Sequence, residues 1–532
     1  MSRRLAAVQR RSRGKGPFDM NTEIARYSPA IPDETASGEE GVEREFLSLL
    51  DQVFRRLRQH NIRHCVLRNR DRIPRGLLTG SDVDVLVPAG TLASELVRIM
   101  GDLRPTHVVP HRSTLEVYFP AGPLLLHVDF LIQDREWRGA RYLRNEEILD
   151  AARDDDGMPV ASPVHQAFCA WFSSLTRRGK FKPRYVPLIS SAFRDSPDAM
   201  ARLLTRAFGR RLALELLGLA ERGELQRSDE FAGRCRRAIW LRALRRQPLA
   251  TLWGLAAHYA AEARLWARPP GLSVAVLGPD GSGKSAVASA LTSATRAVLP
   301  FTAVSVHHLY ERVLPRLSEL KKGRLRRRPS APAVVHNPHG KTAHTALGSL
   351  FTLGYSMLDQ WLSQFLFVRS RLGRNTLLCH DRYMIEIVVD PKRFRYGGPQ
   401  WLARAFSRIT PRLDLVVLLD APAEVLQSRK QEVEFKETKR QREAYRALVS
   451  ALPNGHVVDA NRPLPPVVED VRRILLLYLA HRTAHRFRFA VAGAATSGVS
   501  TSGAKLSSPA APAGAAPAAV APATAVPFEV CR

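Results

Sequence analysis

Cysteine is scarce in this 532-residue chain and never closely paired. Its five cysteines, Cys65, Cys169, Cys235, Cys379 and Cys531, are scattered with no C-x-x-C spacing. That pattern excludes a disulfide framework, argues against structural zinc and suits a reducing compartment. Long apolar runs are also absent. No stretch of 18 or more uncharged apolar residues occurs, so no transmembrane helix is expected. The basic opening, Met1 to Gly16, lacks the apolar segment of a secretory signal, and the cytoplasm is the expected location. Negative charge is in deficit, with 50 acidic against 80 basic side chains and a formal net charge of +30. Such a chain attracts polyanions. It has no basic stripe interleaved with aromatics, so specific nucleic-acid binding is not expected.

What the chain does contain is clearest from residue 271 onward. Ser273-Val274-Ala275-Val276-Leu277 is short, apolar and β-branched, as a buried parallel strand should be. Gly278-Pro279-Asp280-Gly281-Ser282-Gly283-Lys284-Ser285 follows and fits G-x-x-x-x-G-K-[ST]. Glycines there let the backbone turn its N–H groups inward around an anion, and a helix beginning near Lys284 adds partial positive charge. The pattern predicts a nucleoside triphosphate site built from Gly278, Asp280, Gly281, Ser282, Gly283, Lys284, Ser285 and Ala286. Lys284 should reach the outer phosphates, and the Ser285 hydroxyl should ligate Mg²⁺.

Around that loop the chain divides by composition. Residues 1–40 read as a disordered basic arm. Within 41–135, an α+β region, Glu43 to His60 has helical periodicity. Strands are expected at 64–68, 80–87 and 125–131. Residues 136–268 lose strand signals and read as a helical connector, with Trp171, Trp240, Trp253 and Trp266 expected in packing positions. A linker, Arg268-Pro269-Pro270-Gly271, leads into 271–482. There, strands at 302–308, 375–383, 415–420 and 456–459 alternate with helices, including one from Leu347 to Arg371 and a charged flap from Gln431 to Ala451. That alternation predicts a doubly wound parallel α/β sheet. The basic loop 320–341 should be mobile, and the Ala- and Pro-rich segment 489–532 reads as a disordered tail.

In Ser81-Asp82-Val83-Asp84-Val85 the two aspartates point to one face of a strand. Asp129, alone in a second apolar run, can bring a third carboxylate to the same place. Three carboxylates suit one or two Mg²⁺ ions in nucleotidyl transfer. Residues 45–135 therefore resemble the polymerase-β-type nucleotidyltransferase superfamily. They depart from it in having Gly80-Ser81 abut the Asp pair, while Leu67-Arg68-Asn69 occupies the place of the usual Gly-Ser.

Residues 271–482 resemble the thymidylate kinase group of nucleoside monophosphate kinases. The phosphate loop has its acid at Asp280, Asp381-Arg382-Tyr383 matches the D-R-[YFH] signature, and Leu419-Asp420-Ala421-Pro422-Ala423-Glu424 with Arg429 matches the late strand and helix. The resemblance implies a P-loop kinase domain using ATP and Mg²⁺ on a phosphorylated acceptor, with a nucleoside monophosphate as the leading class. Asp280 would contact an acceptor hydroxyl, Asp381 would organise Mg²⁺, and Arg382 would hold the acceptor phosphate. Because Gly281 stands where some members carry a catalytic arginine, the flap would supply that charge, with Lys430, Lys436, Lys439, Arg440 and Arg442 as candidates; Arg429, in the late helix, is a further expected catalytic residue. The R-E-P-G-G-T segment of the housekeeping enzyme is replaced here by Val306 to Arg312. Asn337 to Lys341 and Val389 to Gly398 read as an alternative acceptor pocket. A homodimer falls within the same expectation. Rival readings are an ATP-binding regulator or scaffold, and a nucleotidyltransferase–kinase fusion acting on a sugar or glycan precursor.

Overall fold

Two sheets organise the protein, whose computed structural model describes residues 39–309, 312–315, 345–431 and 433–488. In the first half lie β1 (Cys65–Val66), β2 (Val83–Leu86), β3 (His107–Pro110), β4 (Thr114–Ala121), β5 (Leu124–Leu131), β6 (Arg135–Trp137), β7 (Ala140–Leu143), β8 (Arg153–Asp155) and β9 (Met158–Val160). Seven of them form a mixed sheet in the order β3-β4-β5-β2-β1-β9-β8, and β6 pairs only with β7. Helix α1 (Glu39–Gln59) places Val42, Phe46, Leu50, Val53 and Leu57 on one stripe. That stripe covers the face carrying Val83, Val85, Val128 and Phe130, together with α2 (Ala93–Ile99). By alternation, Leu86 and Leu131 point the other way, into a core with Phe168, Trp171 and Phe172 of α3 (Pro163–Arg178).

Residues 136–160 are not helical connector, as the sequence suggested, but contain most of four short strands, and β8 and β9 complete the first sheet. Three- and four-residue strands rich in Arg, Asp and Glu carry too little alternation to register. Continuous helices begin only at α3 and go on through α4 (Pro197–Phe208), α5 (Ala232–Arg246) and α6 (Pro248–Ala267). Trp171 is buried and Trp240 packs on the same core, whereas Trp253 stands 76% exposed and Trp266 40%. The last two are therefore not core residues. Trp266 still makes a packing contact, its ring stacked 6.2 Å from that of Phe365 with the Arg369 guanidinium over it, whereas Trp253 lies on the open side of α6.

The second sheet is parallel throughout: β10 (Leu272–Leu277), β11 (Ala303–His308), β12 (Thr376–Arg382), β13 (Leu415–Asp420) and β14 (Gly455–Asp459), ordered β11-β12-β10-β13-β14. Strands β10 and β13 are buried along their whole length. One face packs on α7 (Lys284–Ser293), through Val287 and Leu291. Between β11 and β12 the expected single helix runs as α8 (Ala346–Ser363), a π-helical turn at Gln364–Val368 and a last turn at Arg369–Gly373. The other face packs on α9 (Phe435–Ser450) through Tyr445 and Val449, and the closing helix α10 (Leu464–Phe487) returns to the first face. Helices on both faces make this a doubly wound α/β layer. With β10 central, the chain turns to opposite sides through β12 and β13, which opens a crevice at the carboxyl end of β10.

All described residues belong to one compact unit. Buried bonds join the halves: the His107 and Asn375 side chains meet at 3.0 Å, Thr483 Oγ1 donates to Thr106 O at 3.2 Å, and Leu125 N donates to Ala297 O at 2.7 Å. The predicted linker is strapped down, with Arg482 donating to Gly271 O at 2.9 Å and also to Pro270 O. Among the described residues, no helix is long and apolar enough to cross a membrane. Apart from Glu39 and Glu40, which open α1, the expected arm, the loop 320–341 and the tail lie outside the described residues.

Candidate active site

The loop after β10 is shaped by its glycines. Gly278 has φ +149°, and an added Cβ would lie 2.7 Å from Leu419 O; Gly281 has φ +86° and would meet Leu426 O at 2.6 Å. Side chains at either position would push the loop off β13 and the helix after it. Gly283 precedes α7, no side chain caps that helix, and its first-turn N–H groups therefore face the loop's concavity available to an anion. Ser285 and Ala286 are exposed in that first turn. Lys284 is buried, and its Nζ donates to Gly278 O and Pro279 O, both at 2.8 Å. Burial, with Arg382 nearby, lowers its pKa to about 8.

The end of β12 reaches the same place. Arg382 Nη2 donates to Asp280 Oδ1 at 2.8 Å and Nη1 to Glu386 Oε2 at 3.1 Å. Arg393 holds the other Asp280 oxygen. Glu386 also accepts from the Tyr445 hydroxyl at 2.6 Å and the Tyr383 N–H at 3.1 Å. Burial works against charge on Arg382, but Glu386 and Asp280 overcome it and hold the guanidinium's pKa above its ordinary value. Asp381 has one oxygen 3.8 Å from His308 Nδ1 and the other buried with no hydrogen-bond partner among the described residues. With Ser285, that unpartnered oxygen suits a divalent cation.

Asp280, Lys284, Asp381 and Arg382 are thus brought together, but Asp280 and Arg382, expected to grip the acceptor separately, here grip each other. The expected catalytic cations Arg440 and Arg429 are also engaged. Arg440 pairs with Glu437 at 2.6 Å and donates to Val389 O, and Arg429 donates to Ala460 O at 3.0 Å. The helix that carries Arg440 is tied to β13 by Arg442, which donates to both Asp420 oxygens at 2.7 and 3.0 Å. Glu386 and Tyr445 are not singled out by the sequence, whereas Arg393 falls within Val389 to Gly398, the stretch read as an alternative acceptor pocket. Glu386 stands four residues after Arg382, a spacing that signals an ion pair only on a helix, and Arg382 ends a strand; Tyr445 carries no local signal.

The second cluster lies on the first sheet. Asp82, Asp84 and Asp129 bring ligand oxygens within 4.8 Å of one another, because β2 and β5 are parallel with Asp84 opposite Asp129. Asp84 is buried and accepts from Arg68 Nε at 2.6 Å. Asp129 Oδ1 is buried with no hydrogen-bond partner among the described residues. Burial and the neighbouring Asp84 push its pKa well above the carboxylate range. An orphaned oxygen and mutual repulsion fit a cation, although Arg68 already neutralises part of the charge.

No family model matches this chain, and no curated protein matches it. Among solved structures it is similar to a thymidylate kinase from Ehrlichia chaffeensis, at 15% identity and a TM-score of 0.26, over 39% of this chain and 100% of that one.

Proposed function

We propose that residues 271–482 form an ATP- and Mg²⁺-dependent phosphotransferase that transfers the γ-phosphate to a nucleoside monophosphate or another phosphorylated acceptor. The observation that carries this is the 2.8 Å ion pair between Arg382 and Asp280, which ties the end of β12 to the phosphate loop. In this reading the loop amides and the α7 N-terminus hold the polyphosphate, Lys284 neutralises it, and Arg382 and Arg393 present positive charge to the acceptor. Ser285 and Asp381 would hold Mg²⁺, which when bound offsets charge on the phosphoryl group being transferred. Arg429 and Arg440 border this region and serve as its outer cations. Cytoplasmic location and homodimerisation belong to the same proposal. For the dimer, support comes from α8, where Leu347, Phe351, Leu358 and Trp361 recur at helical spacing and all are exposed.

An ADP-release screen over nucleoside monophosphates and phosphosugars tests the proposal. Acceptor-dependent ADP that disappears in Lys284→Ala supports it; ATP binding without such ADP favours the regulator. A second reading, carried by the orphaned Asp129 oxygen, assigns metal-dependent nucleotidyl transfer to residues 41–135, making the chain a fusion that acts on a sugar or glycan precursor. Its test is Mg²⁺-dependent pyrophosphate release, which should fall in Asp82→Asn.

A further inference from the structure

A cleft of about 380 Å³ opens where the β6–β7 hairpin meets α4, α5 and α6, and no residue of the phosphate loop or carboxylate cluster lines it. Six arginines face it, Arg112, Arg141, Arg144, Arg206, Arg242 and Arg246, against three acids, Asp134, Glu136 and Glu147. The acids are already engaged. Asp134 pairs with Arg141 at 3.1 Å, Glu147 with Arg206 at 2.7 Å, and Glu136 with Arg112. Arg144, Arg242 and Arg246 have no acidic partner among the described residues. Arg242 is half-buried and donates to Arg206 O at 3.3 Å, and burial together with Arg246 depresses its pKa. Like charges gathered in a recess are destabilising until an anion joins them.

The recess is also fixed in shape. Gly139, with φ +83°, lies so close to α6 that an added Cβ would come within 2.2 Å of the Gly254 carbonyl carbon. Arg141 Nη2 donates to Gln247 Oε1 at 3.2 Å, joining the hairpin to the start of α6. Trp253 stands on the rim, its ring left to water. A preformed, arginine-lined recess beside an aromatic ring is matched by a ligand with adjacent negative charges and a flat body.

We propose that this cleft binds a small polyanion of the diphosphate class, with a ring seated against Trp253. The test uses the full chain in a Lys284→Ala background, which disables the phosphate loop, with EDTA present and ionic strength held constant. Inorganic pyrophosphate is titrated calorimetrically into that protein and into versions also carrying Arg242→Gln with Arg246→Gln, or Arg144→Gln alone. Roughly tenfold weaker binding is expected per arginine removed. Arg144 is exposed and on a separate segment, so its variant reads the site even where the double variant folds poorly. ADP is then titrated with and without Trp253→Ala, which should weaken ADP and leave pyrophosphate unchanged. Pyrophosphate that fails to bind at millimolar concentration, or binds the arginine variants unchanged, overturns the site. A Trp253→Ala protein that binds ADP undiminished overturns the ring contact.

Discussion

Lys284 is held in its loop at a thermodynamic disadvantage. Its ammonium is enclosed by two carbonyls and lies near Arg382, and its pKa falls from 10.5 to about 8. Between those values the unfolded chain binds more protons than the folded one, so unfolding free energy should rise as pH increases through about 8 to 10.5. At neutral pH the buried charge costs about 3 kcal/mol. Lys284→Met should therefore raise the ligand-free Tm, abolish the alkaline rise in stability and remove stabilisation by MgATP. Thermal melts from pH 7 to 10.5 check all three, and a lower Tm at pH 7 would refute the strain. Asp129 invites a parallel test. Its carboxyl is buried beside Asp84 with an orphaned oxygen, so Asp129→Asn should stabilise metal-free protein at pH 7, by about 1 kcal/mol. Denaturant melts in EDTA measure it. Added Mg²⁺ or Mn²⁺ should stabilise the wild type but not the variant.

At the scale of elements, β12 and α9 are locked through one acid. Glu386 receives Arg382, Tyr445 and a backbone N–H, all away from water. Tyr445→Phe should cost about 1–2 kcal/mol, and Glu386→Ala about 3–5 kcal/mol, because the second strands a buried guanidinium. Urea melts decide between them, and equal losses would contradict the ranking. Strands β10, β12 and β13 are legible in the sequence because a parallel strand covered on both faces must be an unbroken apolar run. The glycine-rich loop and the paired aspartates are legible because G-x-x-x-x-G-K-S and D-x-D are local patterns readable from spacing alone. Strands β6 to β9 are not, being too short to show alternation, and β6 and β8 are charged as well. Their turns were the available signal: Arg138-Gly139 and Asp156-Gly157 both have positive φ at both residues, and Asp-Gly is a hairpin dipeptide. Trp253 is misplaced by sequence for a related reason. An apolar helix predicts burial only if something covers it, and composition does not say what does.

The described residues form one unit in which the two sheets share buried polar bonds. His107 meets Asn375 from a position 268 residues away, and burial holds the imidazole neutral with its pKa lowered to about 3. Gly80, with φ +83°, lies against the backbone at Ala297, where a Cβ would approach to 2.9 Å, just after α7 ends. The glycine-rich loop therefore sits at one end of α7, and the segment before Asp82 touches the chain beyond its other end. Scanning calorimetry should give a single unfolding transition for the wild type. Gly80→Val should lower its midpoint and broaden or split it, and two separate transitions in the wild type would contradict the joint packing.

Calorimetric titration of MgATP into wild-type and Lys284→Ala protein tests the central claim most directly. A single site with a Kd of about 1 μM to 1 mM is expected in the wild type and should be lost in the variant. No binding at millimolar MgATP, or the same affinity in both proteins, would contradict the account.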